Sequence, residues 1–192
     1  MPGKNVLIVY AHQEPKSMNG SLKNIAVDVL QKQGCSIIIS DLYSMNFNAA
    51  ATRNDITGEL CNPQHFRYGA ETMEAFKKGV LCEDILKEQE KVKVADLIIF
   101  QDKLALLSFT TGGTEEMFSK DGMRGDIRYL LWPMQHGIMH FCGFKVLAPQ
   151  ITYAPEYVGD EKRKNMLLLW ARRLEAIWDE RPIECTPPWY FQ

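Results

Sequence analysis

Residues Lys4 to Leu30, KNVLIVYAHQEPKSMNGSLKNIAVDVL, constrain the fold more than any other stretch. Val6, Leu7, Ile8, Val9 and Tyr10 form a short continuous apolar run with a β-branched bias, the pattern of a strand covered on both faces. After a polar loop, Leu22, Ile25, Ala26, Val29 and Leu30 recur at i, i+3, i+4, i+7 and i+8, one apolar helix stripe. Gly34 follows as the residue that stops the helix in a left-handed conformation. A buried strand that runs through His, Ser, Asn and Gly into a helix is how doubly wound α/β domains present an anion site. Free N–H groups and the positive end of the helix dipole both face the loop. The stretch also reads as a plain strand-turn-helix in which Ser17 or Asn19 only caps. Neither G-x-G-x-x-G nor G-x-x-x-x-G-K-[ST] occurs in the chain.

Further apolar runs repeat the alternation. Strands are expected over Cys35 to Leu42, Ala95 to Gln101, Lys103 to Thr110 and Lys145 to Tyr153. Helices are expected around Ala70 to Val80, Glu83 to Val94 and Gly125 to Phe141. A final long helix carries Met166, Leu167, Trp170, Leu174, Ile177 and Trp178. Tyr43 to Tyr68 is polar and reads as a surface excursion. The pattern predicts one α/β domain over residues 1–192, with a mainly parallel twisted sheet and helices on both faces. One junction breaks the scheme: only Asp102 separates two strands that, as parallel neighbours, need a crossover of roughly a dozen residues. A linker this short permits an antiparallel hairpin or one continuous strand, so either the sheet is mixed here or a crossover is missing.

Charge narrows the partners. With 22 basic and 24 acidic residues, no global field attracts nucleic acid or an anionic membrane, which favours small-molecule chemistry. No apolar run approaches a membrane span and no signal-peptide pattern opens the chain. Five scattered cysteines suit reduced thiols, so a cytoplasmic location is expected.

Thr110, Thr111, Gly112 and Gly113 end a buried strand. At a carboxyl end of the sheet their N–H groups could hold a flat ligand beside the His12 to Ser21 loop; a simple turn is the alternative. His136 and His140 lie four apart on one helix face. With a cysteine they would make a His₂Cys site for zinc or copper; otherwise they are two ordinary helix histidines. Cys142 points away from that face, whereas Cys185 is freer to reach it. Glu156 and Arg163 are by default surface charges, and Phe118 a packing residue.

Taken together, YAHQEPKSMNGSLKN, LLSFTTGGTEEMF, LLWPMQHGIMHFCGFKVLAPQI and CTPPWYFQ resemble the NAD(P)H/ribosyldihydronicotinamide dehydrogenase (quinone) family of FAD flavoproteins, in its type-two form. The resemblance spans essentially the whole chain. It implies a flavodoxin-like fold, a homodimer, and ping-pong hydride transfer from a reduced nicotinamide or its riboside to a quinone. Carried over residue by residue, it assigns His12, Met18, Asn19, Gly20 and Ser21 to the phosphate and ribityl end of FAD, with Met18 where the family usually has Phe. Thr110, Thr111, Gly112 and Gly113 would hold the isoalloxazine edge, and Glu156 and Arg163 the adenosine side. Gly112, Gly113 and Phe118 would stand at the reacting end, and His136, His140 and Cys185 would hold zinc or copper. Phe118 replaces a family Tyr whose hydroxyl bonds the flavin, a loss of about 0.5–1.5 kcal/mol in binding. Arg124 replaces an Asn. The family also carries on the order of forty residues where Gln101 here runs straight into Asp102, more than a crossover requires. That segment holds an aromatic loop and part of the quinone pocket. Its loss implies impaired turnover or a non-catalytic form that binds flavin or metal weakly or dimerises with the full-length enzyme.

Overall fold

The computed structural model describes residues 3–98 and 104–190. The first strand, β1 (Asn5–Tyr10), pairs in parallel with β2 (Ser36–Asp41) in the register Asn5↔Ser36 to Tyr10↔Asp41. Between them runs helix α1 (Met18–Lys32). Gly34, at φ +81°, ends it as expected: its N–H donates to the Gln31 carbonyl (2.9 Å) and the Cys35 N–H to the Leu30 carbonyl (3.1 Å).

The next pairings extend the sheet. Helices α2 (Tyr68–Lys78) and α3 (Glu83–Val94) precede Leu97, which bridges Val6 on one side and Leu104 on the other, both in parallel. Strand β3 (Leu104–Ala105) pairs with β5 (Lys145–Val146), and β4 (Ser108–Thr111) with β6 (Gln150–Tyr153), again in parallel. The order is therefore β2–β1–Leu97–β3/β4–β5/β6, a doubly wound sheet. Pairing moves from Ala105↔Val146 to Ser108↔Gln150, so the second chain carries one extra residue. Pro149 has no N–H to donate and falls in this bulge.

Of the two alternatives at the Asp102 junction, the mixed sheet is excluded and the missing crossover stands, because Leu97 and Leu104, on either side of it, pair in parallel. The connecting residues 99–103, including the Asp102–Lys103 step, lie outside the described residues. Retracing a five-residue strand takes roughly 17 Å, nearly all that six residues can span, so no long parallel ladder can form across so short a connection. Asp96 fastens this position to β1 by accepting from Lys4 Nζ (2.9 Å) and the Asn5 N–H (2.8 Å).

Helices cover both faces. Val6 and Ile8 pack with Leu22, Ala26 and Leu30 of α1 and with Trp170 and Leu174 of α5 (Asp160–Glu175). Each such fully buried apolar side chain contributes about 1.5–3 kcal/mol. The Trp170 indole N–H donates to the Leu22 carbonyl (3.0 Å), locking α5 onto α1. Leu7 faces the other way, against Ile38, Val92 and Ala95. Over β3 and β5 that second face is covered by Met139 of the π-helix Gln135–His140, which continues α4 (Ile127–Met134), and by Phe144 and Cys185. Helix α5 stops at Glu175, so Ile177 and Trp178 sit in a following 3₁₀ turn rather than in the long helix.

The 43–68 segment is more than a surface excursion. Asp55 and Ile56 are buried, Ile56 bridges Leu81 in antiparallel fashion, and the Tyr68 hydroxyl donates to Asp55 (2.7 Å). Glu71 accepts the N–H groups of Cys61 (2.7 Å) and Asn62 (2.8 Å). Among the described residues no helix is long and apolar enough to cross a membrane.

Candidate functional site

The β1–α1 loop is built around one histidine and one cap. Ser17 is the N-cap of α1, its hydroxyl accepting the Gly20 N–H at 3.2 Å. The same hydroxyl lies 3.2 Å from His12 Nδ1, which also accepts the Glu14 N–H (3.1 Å). Nδ1 also lies 3.3 Å from the Glu14 carbonyl, so this nitrogen is engaged within the loop in either tautomer and Nε2 is the one left to face a ligand. Asn19 Nδ2 donates to Thr110 Oγ1 (3.4 Å), so the His12–Ser21 and Thr110–Gly113 segments meet at the carboxyl edge of the sheet, as expected.

Three residues of this loop are engaged differently. Met18 packs against the α1–α5 core. The Ser21 hydroxyl turns back to the Ser17 carbonyl (3.2 Å). Gly20 serves the chain itself, because a Cβ there would stand 2.0 Å from the Pro15 carbonyl oxygen.

A cleft of about 400 Å³ opens beside this loop, lined by Val9 and Tyr10 of β1, by His12 and Asn19 of the loop and helix start, by Ser108 and Phe109 of β4, and by Trp170. Lys23 Nζ lies 4.9 Å above the Tyr10 ring and also lines the cleft. Lys23 and Trp170 escaped the sequence reading. Lys23 falls one position from the apolar stripe of α1, where a lysine reads as solvated, and Trp170 reads as core.

At the other end, the Thr111 hydroxyl donates to the Gly113 carbonyl (2.9 Å) and folds the turn. Gly112 faces open space: an added Cβ would meet nothing within 4 Å. Gly113 lies under Phe118, whose Cε2 would be 2.9 Å from its Cβ. The Phe118 ring stacks obliquely on Tyr153, with centroids 6.1 Å apart at 38°. Arg124 is exposed. Burial pushes the Tyr153 phenol above its ordinary pKa, and the carboxylates of Glu115 and Asp126 add to this. Asp126 caps α4, and its hydrogen-bonded pair with Arg128 holds its carboxyl below the usual range.

Glu156 and Arg163 do not line the cleft at His12. Glu156 is exposed. Arg163 donates to the carbonyls of Pro155 (3.1 Å) and Val158 (2.5 Å) and pairs with Asp160, so it pins the loop that begins at Ala154, itself at φ +46°.

His136 and His140 share one side of the π-helix, their rings stacked at 5.8 Å, with Trp132 stacked on His136 at 3.9 Å. Cys185 is fully buried, sits at φ +48°, and presents its backbone carbonyl 2.6 Å from His136 Nδ1. Burial pushes its thiol up to about 11. The three residues are therefore neighbours. Among the described residues, however, no three His, Cys, Asp or Glu side chains are gathered closely enough to hold a metal.

Comparison with known proteins matches the chain to the family of flavodoxin-like fold over residues 4–101 and 100–174. Ribosyldihydronicotinamide dehydrogenase [quinone] of Rattus norvegicus is 54% identical over 230 residues, covering all of both chains. The Mus musculus protein of the same name is 55% identical over the same span. A solved structure from Klebsiella pneumoniae, assigned as a quinone reductase, superposes with a TM-score of 0.89 at 30% identity, covering 94% of this chain and 87% of its own. The alignments run over 230 positions against 192 residues, so at least 38 positions of these relatives have no counterpart here. The family match breaks at residues 100–101, at the junction that lacks a crossover.

Proposed function

The chain belongs to the quinone reductase family built on the flavodoxin-like fold, and on that premise we propose that it is an FAD-dependent oxidoreductase carrying two electrons from a reduced nicotinamide, or its riboside, to a quinone. The observation that carries the reading is the Asn19–Thr110 hydrogen bond, which joins an anion-ready helix start to a glycine turn at one sheet edge.

The residues fit such a cofactor. The first turn of α1 holds no acidic side chain, so its N–H groups, the His12 imidazole and Lys23 together suit a pyrophosphate. Gly112 leaves open the approach of a flat ring to the backbone N–H groups of Thr110 to Gly113, which would face the edge where negative charge gathers. Glu156 and Arg163 would stand on the adenosine side, Arg163 by fixing the 154–158 loop rather than by reaching out. Bound FAD would supply hydride acceptance and donation, so the two substrates would use one pocket in turn.

Zinc or copper at His136, His140 and Cys185 would tie the π-helix to the C-terminal tail as a structural link. Their neighbourhood supports it, and binding would require the Cys185 thiol to lose its proton and turn toward the imidazoles. Metal analysis of the purified protein is expected to find one zinc or copper per chain; a metal-free protein that folds normally contradicts this link.

Homodimerisation belongs to the same reading. Leu130, Met134, Ile138 and Phe141 form an exposed apolar stripe along α4 and the π-helix, and Phe141 is 85% exposed. The free state of all five cysteines suits a cytoplasmic protein. Because at least 38 positions of the relatives have no counterpart here, turnover is expected to be slower than in those relatives. The same deletion favours a second reading, a non-catalytic form that binds flavin weakly or pairs with a full-length copy. Co-purification of FAD, followed by bleaching with a dihydronicotinamide donor, separates the two.

A further inference from the structure

Tyr153 belongs to no motif and to none of the roles assigned above, yet it stands at the reacting end of the site. It pairs in register with Thr111 at the carboxyl end of β4 and β6, so both side chains share one face of the sheet. Its ring packs on Phe118, which in turn covers Gly113. Among its immediate partners here Tyr153 alone has a hydroxyl proton to offer a ligand, while Thr110 Oγ1, at the far end of the turn, accepts from Asn19. The Thr111 hydroxyl is committed to the Gly113 carbonyl, and Phe118 has none. No described residue accepts a hydrogen bond from the Tyr153 phenol. Burial, with Glu115 and Asp126 close by, keeps it protonated at neutral pH, hence a donor.

We infer that Tyr153 is the phenolic hydrogen-bond donor of this site, acting beside the Thr111–Gly113 turn on the ligand edge that becomes negative on reduction. The inference rests on the flavin reading. A partly buried donor aimed at developing charge stabilises the reduced state more than the oxidised one, so it acts on rate and potential rather than on binding of the oxidised cofactor.

The test compares the parent chain with Tyr153→Phe and with the double variant Tyr153→Phe/Phe118→Tyr, all loaded with FAD. In Tyr153→Phe the affinity for oxidised FAD should stay within about threefold of the parent. The flavin midpoint potential should move to more negative values, and reduction by dihydronicotinamide riboside should slow about tenfold. The double variant returns a hydroxyl to the same pair of rings and should recover most of the loss. In the unsubstituted chain, the Tyr153 Cζ resonance should shift when FAD is added, a readout independent of any variant's folding. Unchanged potential and rate in Tyr153→Phe, or a Cζ resonance indifferent to FAD, overturns the inference while leaving the flavin reading intact. A parent chain that takes up no FAD overturns both.

Discussion

Alanine at position 20 is expected to destabilise the protein by about 3 kcal/mol, to lower Tm by roughly 10 °C, and to weaken FAD binding at least tenfold. The new Cβ would stand 2.0 Å from the Pro15 carbonyl oxygen and 2.8 Å from its carbon. Both are backbone atoms, so no side-chain rotation relieves the contact; the 12–17 loop must move away from α1. That movement breaks the Gly20 N–H bond to the Ser17 hydroxyl, a cap worth about 1 kcal/mol, and the Ser17 contact that holds His12 Nδ1 goes with it. Stability and affinity therefore fall together. Thermal unfolding and FAD titration of Gly20→Ala check this, and a variant with parental Tm and parental affinity contradicts it.

Insertion of the relatives' 38-position segment between Gln101 and Asp102 should act in the opposite direction and by more. Among the described residues the third strand is the bridging residue Leu97, and Val9 on the adjoining strand is 46% exposed. A full crossover would let that strand run the length of β1 and would cover the sheet beside the cleft. Burial of even three or four large apolar side chains contributes about 5–10 kcal/mol before ordering costs. The chimera is expected to gain roughly 10 °C in Tm, to hold FAD at least tenfold more tightly, and to reduce quinones about a hundredfold faster. Differential scanning calorimetry and steady-state turnover measure these quantities. A chimera no more stable and no faster than the parent would show that the deletion is not what limits this chain.

The parts of this molecule governed by local rules were legible in the sequence. The apolar run Val6–Tyr10, the helix stripe to Leu30 and the stop at Gly34 follow from periodicity and from the glycine's access to positive φ. At the Asp102 junction the sequence left a mixed sheet and a missing crossover open, because crossover rules describe whole strands whereas the parallel contact at Leu97 is one residue wide. Buried Asp55 and Ile56 were hidden in a polar stretch, since their burial depends on Tyr68 and Leu81, which lie more than ten residues downstream. The site divides the same way. His12 and Asn19 were readable from the loop they occupy. The reason for Gly20 needed the position of Pro15, and Arg163 needed the carbonyls that occupy it. Tyr153 became visible only through the β4–β6 register that places it beside Thr111.

The central claim, that this chain is a flavin quinone reductase built on a shortened sheet, is tested most directly by one anaerobic experiment. Purified protein reconstituted with FAD is mixed with a dihydronicotinamide donor, then with menadione, while flavin absorbance is followed. The account predicts stoichiometric FAD, bleaching by the donor, and recovery of the oxidised spectrum by the quinone, with both steps slower than in the relatives. A folded chain that binds no FAD, or whose flavin remains oxidised in the presence of the donor, would contradict it.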